Sequence, residues 1–426
     1  MGKTEIETQP GCCEDELNTS LLTVDEARER MLDGVHAVHD AQMVALRDAL
    51  GRVLAAEVVS PIDVPSHTNS AMDGYAVRAS DLPADGTVTF AVPGTSWAGR
   101  PYLGPIGPGE AVRIMTGGMM PDGMDTVIMQ EQVEVDTENN SVLIGSGHRA
   151  GQHVRMAGED VKTGQAVLTG GRRLTSADIG VLASLGLAKV SVYRRLRVAF
   201  FSTGDELRAV GEPLGPGEIH DSNRYSLYGM LKKLDVEIID LGVIRDTPEL
   251  IEQAFREAAA SADVVVTSGG VSVGEADYVK DTLEKIGSMS FWKIAMKPGR
   301  PVTFGHIDEA VFFGLPGNPV SVMVTFFQFV RPALLKMSGE TGWSGVYTLH
   351  ATTTTDLRKR PGRFEFQRGI LEQAAPGEFT VCSAGAQGSG ILRSMSEANC
   401  FILLEPDQTG IEAGQEVLVQ PFQNLI

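Results

Sequence analysis

Three segments of the chain run from apolar residues into glycines and then into sequence that favours a helix. They are Phe201-Ser202-Thr203-Gly204-Asp205-Glu206, Thr267-Ser268-Gly269-Gly270-Val271-Ser272-Val273-Gly274 and Gly314-Leu315-Pro316-Gly317-Asn318-Pro319. Glycine lets a backbone approach an anion closely, and the N–H groups that open a helix point at it. One such turn is weak, because a strand-glycine-helix junction is often only structural. Three in one sheet describe a ligand crevice. Acids stand at the mouths of these loops: Glu206, Asp246 and Asp277. Beside a phosphate site, Glu206 and Asp277 suit Mg²⁺, which keeps several waters and takes one or two protein oxygens. Asp246 precedes Thr247-Pro248 and reads equally as a helix cap. Cations are at hand in Lys293, Lys297 and Arg300, while Arg363 and Arg368 flank an alternating stretch further on.

The same residues admit a rival. Gly270-Val271-Ser272-Val273-Gly274 matches the G-x-S-x-G nucleophile elbow, and Asp308 or Glu309 followed by His350 gives the chain order of a hydrolase triad. No glycine-rich oxyanion loop stands upstream, and the additional Gly269 suits a phosphate nest better.

These loops need a frame, and residues 197–336 supply one by alternating strand and helix patterns. Arg197-Val198-Ala199-Phe200-Phe201 and Asp263-Val264-Val265-Val266-Thr267 read as strands, the second apolar on both faces. Asp221 or Ser222 caps a helix whose Leu227, Met230, Leu231 and Leu234 form one apolar stripe at helical spacing. Pro248 opens a helix to about residue 260, and another spans residues 319–336. The series predicts a doubly wound, mostly parallel sheet. Upstream, Thr23-Val24-Asp25-Glu26 is a capping box opening a helix to about residue 38, and a second helix is expected over 44–56. Residues 61–146 read as a small β domain, Thr175 caps a helix over 176–185, and from about residue 347 a small barrel or sandwich follows.

With 426 residues the chain holds two to four domains. A hydrophobic content of 42% is that of a globular protein, and no apolar run reaches the ~20 residues of a membrane helix. The first twenty residues read as a loose tail without a secretion pattern, so a cytoplasmic location with reduced thiols is expected. Cys12, Cys13, Cys382 and Cys400 lack zinc spacing. The net charge of −19 argues against nucleic acid, whose binding needs a basic surface. It would equally repel an anionic substrate, so a local basic cluster is required.

Several segments occur in an order that carries more than each does alone. Ser70-Ala71-Met72-Asp73-Gly74-Tyr75-Ala76-Val77, Arg113-Ile114-Met115-Thr116-Gly117-Gly118 and Gly158-Glu159-Asp160 precede the three loops, and Lys297-Pro298-Gly299-Arg300-Pro301 follows the second. The set resembles the molybdopterin molybdenumtransferase family, which includes MoeA and the E domain of gephyrin, from roughly residue 21 to 422. The stretch Gly118-Met119-Met120 departs from the family's smaller or proline-bearing loop, and the Cys12-Cys13 tail has no counterpart.

The resemblance implies a multidomain α/β-plus-β subunit in four parts after a flexible tail (1–20). These are an elongated, discontinuous helical/β domain (21–60 and 147–192), an inserted small β domain (61–146), a molybdopterin-binding α/β domain (193–336) and a C-terminal β-barrel (337–426). It implies a homodimer with the site between the α/β domain of one subunit and the small β domain of the other. The implied reaction joins molybdate to adenylyl-molybdopterin with release of AMP and dependence on Mg²⁺, the substrate coming from a molybdopterin adenylyltransferase. Functional positions carried over are Asp73, Thr116, Asp160, Glu206, Asp246, Asp277, Pro316 and Pro319, of which Glu206 and Asp277 hold the metal. Gly269, Gly270, Ser272 and Gly274 cradle phosphate, and Lys293, Lys297, Arg368 and Ser389 bind molybdate. Asp73 and Thr116, each followed by glycine, also suit simple turns. A gephyrin-like scaffold without turnover is the alternative within the same fold.

Overall fold

The computed structural model describes residues 21–269, 278–342 and 345–422. The chain divides into two compact units, Met43–Val192 and Met1–Gln42 with Tyr193–Ile426.

In the larger unit, four strands lie parallel because helices carry the chain back between them. Glu237–Ile244, Arg197–Thr203, Val264–Ser268 and Ala310–Leu315 are neighbours in that order, and Pro301–Ile307 and Gly287–Lys293 extend the sheet antiparallel. Alternation sends successive side chains to opposite faces. Val198, Phe200, Val264 and Val266 join one core with Leu227, Met230 and Leu231 of the Ser222–Lys232 helix. Ala199, Phe201 and Val265 join another with Ile251, Phe255 and Leu283 of the Pro248–Ser261 and Tyr278–Ile286 helices. The sheet is therefore doubly wound.

Local chemistry sets the helix ends. Thr23 and Glu26 form the reciprocal capping box on Val24–Asp33, which stops at Asp33 rather than near residue 38. Asp221 caps Ser222–Lys232 by accepting from the Arg224 N–H at 3.1 Å. The run Pro319–Met337 is apolar enough by composition to cross a membrane, yet 89% of its window is buried. A π turn at Phe326–Val330 interrupts it. Pro332 has no N–H to offer the Gln328 carbonyl four residues back, and Arg28 Nε meets that carbonyl instead at 3.2 Å.

The C-terminal strands close on themselves. Phe364–Ala375, Glu378–Ser383, Leu349–Thr353, Glu416–Pro421 and Cys400–Leu404 pair in that circular order, and the last returns to the first. Val381, Cys400, Ile402 and Val419 fill the barrel. There Cys400 is a free thiol, pushed up to about 12 by burial and then by Cys382. The short strand Met296–Lys297 pairs parallel to the barrel's Phe364 and Glu365, so α/β segment and barrel share an edge.

In the smaller unit, Gly74–Val77 lies between Val112–Ile114 and Thr126–Met129, with Thr95–Ser96 outside. Thr87–Ala91, Ser141–Gly145 and Val133–Asp136 form a separate antiparallel sheet. Thr175 and Asp178 make a second capping box on Ser176–Ser184. The helix expected over 44–56 does not form. Leu46–Ala49 is one 3₁₀ turn, and Gly51 adopts φ +75°. Val53 and Leu54 then bridge to Arg173 and Val192. Tertiary pairing outweighs a helical pattern with glycine at its centre.

Candidate functional site

Outside the carboxyl ends of the four parallel strands lies a cleft of about 900 Å³, where open α/β sheets bind their ligands. Thr203, Gly204 and Glu206 come from the first strand end, Asp246 from the next loop, and Ser268 and Gly269 from the third. Pro316, Gly317, Asn318 and Pro319 close that wall. Lys297, Arg300, Arg363 and Ser389 face them from the 296–301 segment and the barrel.

The glycines fit for steric reasons. Gly269 holds φ +93°, and a Cβ on it would stand 2.7 Å from the Thr203 carbonyl oxygen. Its N–H donates to the Leu315 carbonyl at 3.1 Å, so the second and third loops are stitched together. Gly317 comes next to it, its Cβ position 3.9 Å from the Gly269 Cα. Asn223 Nδ2 donates to the Gly317 carbonyl at 2.7 Å, and the Val320 N–H donates to the Ser389 carbonyl at 3.0 Å. The loop carrying Pro316 and Pro319 is thus held by a helix on one side and the barrel on the other.

Charge on the walls is divided. Asp246 is not the cap its position suggested: the Pro248–Ser261 helix begins at Thr247 without a side-chain cap bond. Burial first, then Asp205 and Glu206, raise the Asp246 carboxyl above the usual aspartate range. Lys297, Arg300 and Arg363 line the same cleft. Four polar atoms of cleft residues are buried without a hydrogen-bond partner among the described residues: Thr203 Oγ1, Asp221 Oδ2, Asn223 Oδ1 and Arg300 Nε. Buried polar groups are normally paired. Three acceptor-capable oxygens and one donor left over on a single cleft mark a place for a polar ligand or ordered water.

Gly270, Ser272, Gly274 and Asp277 fall outside the described residues. Lys293 is exposed at the end of Gly287–Lys293, its carbonyl accepting from Leu22, and is not on the cleft wall. Arg368 lies behind the wall, only 1% exposed. Its Nη2 donates to the Ala386 and Gly388 carbonyls at 3.2 and 3.1 Å, and its Nε to Ser394 Oγ at 3.1 Å. Burial brings this guanidinium down to about 10. Arg368 therefore braces the loop that presents Ser389. Asp73, Thr116 and Asp160 belong to the smaller unit. There Asp73 Oδ1 accepts from the Thr116 N–H at 2.7 Å and its hydroxyl at 2.8 Å, while Asp160 is exposed with its N–H on the Val64 carbonyl.

Two features were missed from sequence. Asp221 and Asn223 read only as the start of a helix, although the polar run His220-Asp221-Ser222-Asn223 was the available signal. Gln387 and Gly388 reach the cleft from the barrel with no motif to mark them. Ser272 of the rival hydrolase reading lies outside the described residues, and the partners named for it sit on separate elements. Asp308 turns the hairpin at the far end of Ala310–Leu315, and His350 sits on a barrel strand with its Nδ1 3.0 Å from Glu416.

Comparison with known proteins matches three successive regions of the chain to one family. Residues 22–186 match the MoeA N-terminal region (domain I and II), 199–336 the probable molybdopterin binding domain, and 350–422 the MoeA C-terminal region (domain IV). A molybdopterin molybdenumtransferase of Haemophilus influenzae is 46% identical over 406 residues, covering 95% of this chain and 100% of that protein. One from a Nostoc species is 38% identical, covering 89% and 88%. The crystal structure of a molybdopterin biosynthesis moeA protein from Pyrococcus horikoshii superposes with a TM-score of 0.81 at 31% identity, covering 94% and 100%. On the match of all three regions and these full-length relatives, the chain belongs to the molybdopterin molybdenumtransferase family.

Proposed function

We propose that this chain inserts molybdate into adenylyl-molybdopterin with release of AMP. The observation that carries this is a cleft walled by Lys297, Arg300 and Arg363 at the strand ends of a molecule with net charge −19. A diffuse negative field screened over ~10 Å leaves such a local cationic wall able to hold oxyanions.

The Gly269 loop approaches a phosphate of the substrate, since only a backbone without Cβ fits beside Thr203 there. Lys297 and Ser389 bind molybdate on the facing wall, with Arg368 holding the Ser389 loop in place. Lys293 would take part only from outside the cleft. Molybdate and tungstate, alike in charge and nearly in size, both fit such a site. Catalysis of this kind is positioning and charge stabilisation rather than attack by a side chain.

The acids fit a divalent ion that shares its ligands with substrate. Among the described residues no group of three or more His, Cys, Asp or Glu is placed to hold a metal alone. Glu206 and Asp246 still line one wall, and Asp246 carries a carboxyl raised by burial and like charge. Glu206, Asp246 and the undescribed Asp277 would hold Mg²⁺ together with phosphate oxygens, as this ion prefers. When bound it would polarise the phosphoanhydride.

A homodimer in the cytoplasm, supplied by a molybdopterin adenylyltransferase, completes the proposal. In it the partner subunit's smaller unit brings its Asp73, Thr116 and Asp160 to the reaction. The test is AMP release from adenylyl-molybdopterin with Mg²⁺, with and without molybdate. Molybdate-dependent AMP is expected; its absence would favour a scaffold without turnover.

A further inference from the structure

Lys297 does not stand on the cleft wall alone. The parallel pairing of Met296–Lys297 with the barrel strand sets Lys297 directly across from Glu365. Glu365 is only 4% exposed and is not part of the cleft lining. Its Oε1 lies 3.2 Å from Lys297 Nζ, and its Oε2 accepts from Gln367 Nε2 at 3.0 Å. Gln367 is itself fixed, donating also to the Arg358 carbonyl at 2.8 Å. The carboxylate is thereby locked in place, while the Lys297 side chain remains 55% exposed towards the cleft.

Glu365 also serves a second ammonium. Lys359 is 8% exposed, and its Nζ gives its hydrogen bonds to the Arg360, Pro406 and Gln408 carbonyls. Burial draws that ammonium down from the ordinary lysine value, and the charge of Glu365 opposes the shift. One buried carboxylate therefore stands between a lysine committed to structure and a lysine presented to ligand.

A cation with a buried anion behind it differs from a free cation in two ways. Its head is confined, so less side-chain entropy is lost when a ligand arrives. Its field is partly cancelled, so a passing dianion gains less from charge alone. We propose that Glu365 is a positioning residue that tempers Lys297. It fixes the ammonium at the cleft wall and withholds part of its charge, so that retention of an oxyanion depends on directional contacts and not on charge alone.

This inference rests on the oxyanion site proposed above, and the experiment separates the two. Binding of molybdate and of sulfate to the full-length protein is measured by calorimetry for wild type, Glu365→Gln, Lys297→Ala and the double variant, with kcat and KM for molybdate from AMP release. Glu365→Gln is expected to bind both anions more tightly, by roughly three- to tenfold. KM for molybdate and kcat should fall together. In the Lys297→Ala background the same change should move affinity less than twofold. Unchanged or weaker anion binding by a folded Glu365→Gln overturns the inference, as does an equal gain without Lys297. Should Glu365→Gln not fold, Glu365→Asp withdraws the carboxylate from Lys297 and is expected to raise sulfate affinity in the same direction; no change overturns the inference. A wild-type protein that binds no molybdate overturns the oxyanion site itself.

Discussion

Asp73 in the smaller unit and Asp246 in the larger are the same side chain in opposite circumstances. Asp73 receives the Thr116 N–H and then its hydroxyl, which hold its carboxyl below the usual range. Asp246 is partly buried and faces Asp205 and Glu206, which with burial raise its carboxyl. The first is satisfied by its own unit; the second is left with a charge its surroundings disfavour. Natural folds keep such imbalance where a ligand relieves it. The contrast separates a carboxylate whose charge is already met by donors of its own unit from one that waits for a cation.

The strongest way to break this contrast is to close the cleft while leaving the smaller unit untouched. Gly269→Ala would drive a Cβ against the Thr203 carbonyl at a positive φ, at a cost of about 2–3 kcal/mol. AMP release should fall at least ~100-fold, because displaced loops lose the positioning on which the chemistry depends. Hydrogen exchange in residues 43–192 should not change. Lys297→Ala comes next: KM for molybdate should rise about tenfold, equivalent to ~1.4 kcal/mol, and melting should drop because the buried Glu365 carboxylate loses its ammonium partner. An unaltered KM would remove Lys297 from the oxyanion wall.

What sequence could read follows from the range of the interactions involved. Both threonine capping boxes, the Leu227-Met230-Leu231 stripe and the glycine turns at Gly204 and Gly317 are written within a few residues, and the structure has them; of the loop between them it describes only the start, as far as Gly269. The helix expected over 44–56 failed because the partners of Val53 and Leu54 lie more than a hundred residues away. Strand Gly287–Lys293 was not foreseen; it exists as the antiparallel edge added to a parallel sheet. At the cleft, residues on the strand-end loops could be named from their neighbours. The depth of Arg368 could not, since a basic residue in an alternating strand looks the same on either face. Nor could the unpartnered atoms of Asp221 and Asn223, which only tertiary packing makes buried.

The smallest effects sharpen the contrast most. Because the folded Asp246 carboxyl is raised, the native state binds a proton more readily than the unfolded chain, whose aspartates titrate near ~3.9. Stability is then penalised above the raised value, and the penalty disappears as pH falls below the unfolded one. Asp246→Asn should therefore melt about 1–2 °C higher than wild type at pH 7, converge with it in acid, and lose turnover by at least ~10-fold. Asp73 has the opposite sign. Its depressed carboxyl contributes stability that is present above the unfolded value and lost as pH falls through the folded one. Asp73→Asn keeps an oxygen for the Thr116 donors but not the charge, so its melting should lie slightly below wild type at pH 7. That deficit should also vanish in acid, from the other side. Thermal melts of the two variants between pH 7 and 3 check both signs at once. Two variants shifting in the same direction would mean that the carboxylates do not differ as their surroundings say, and the assignment of Asp246 to a cation-relieved site would fall with them.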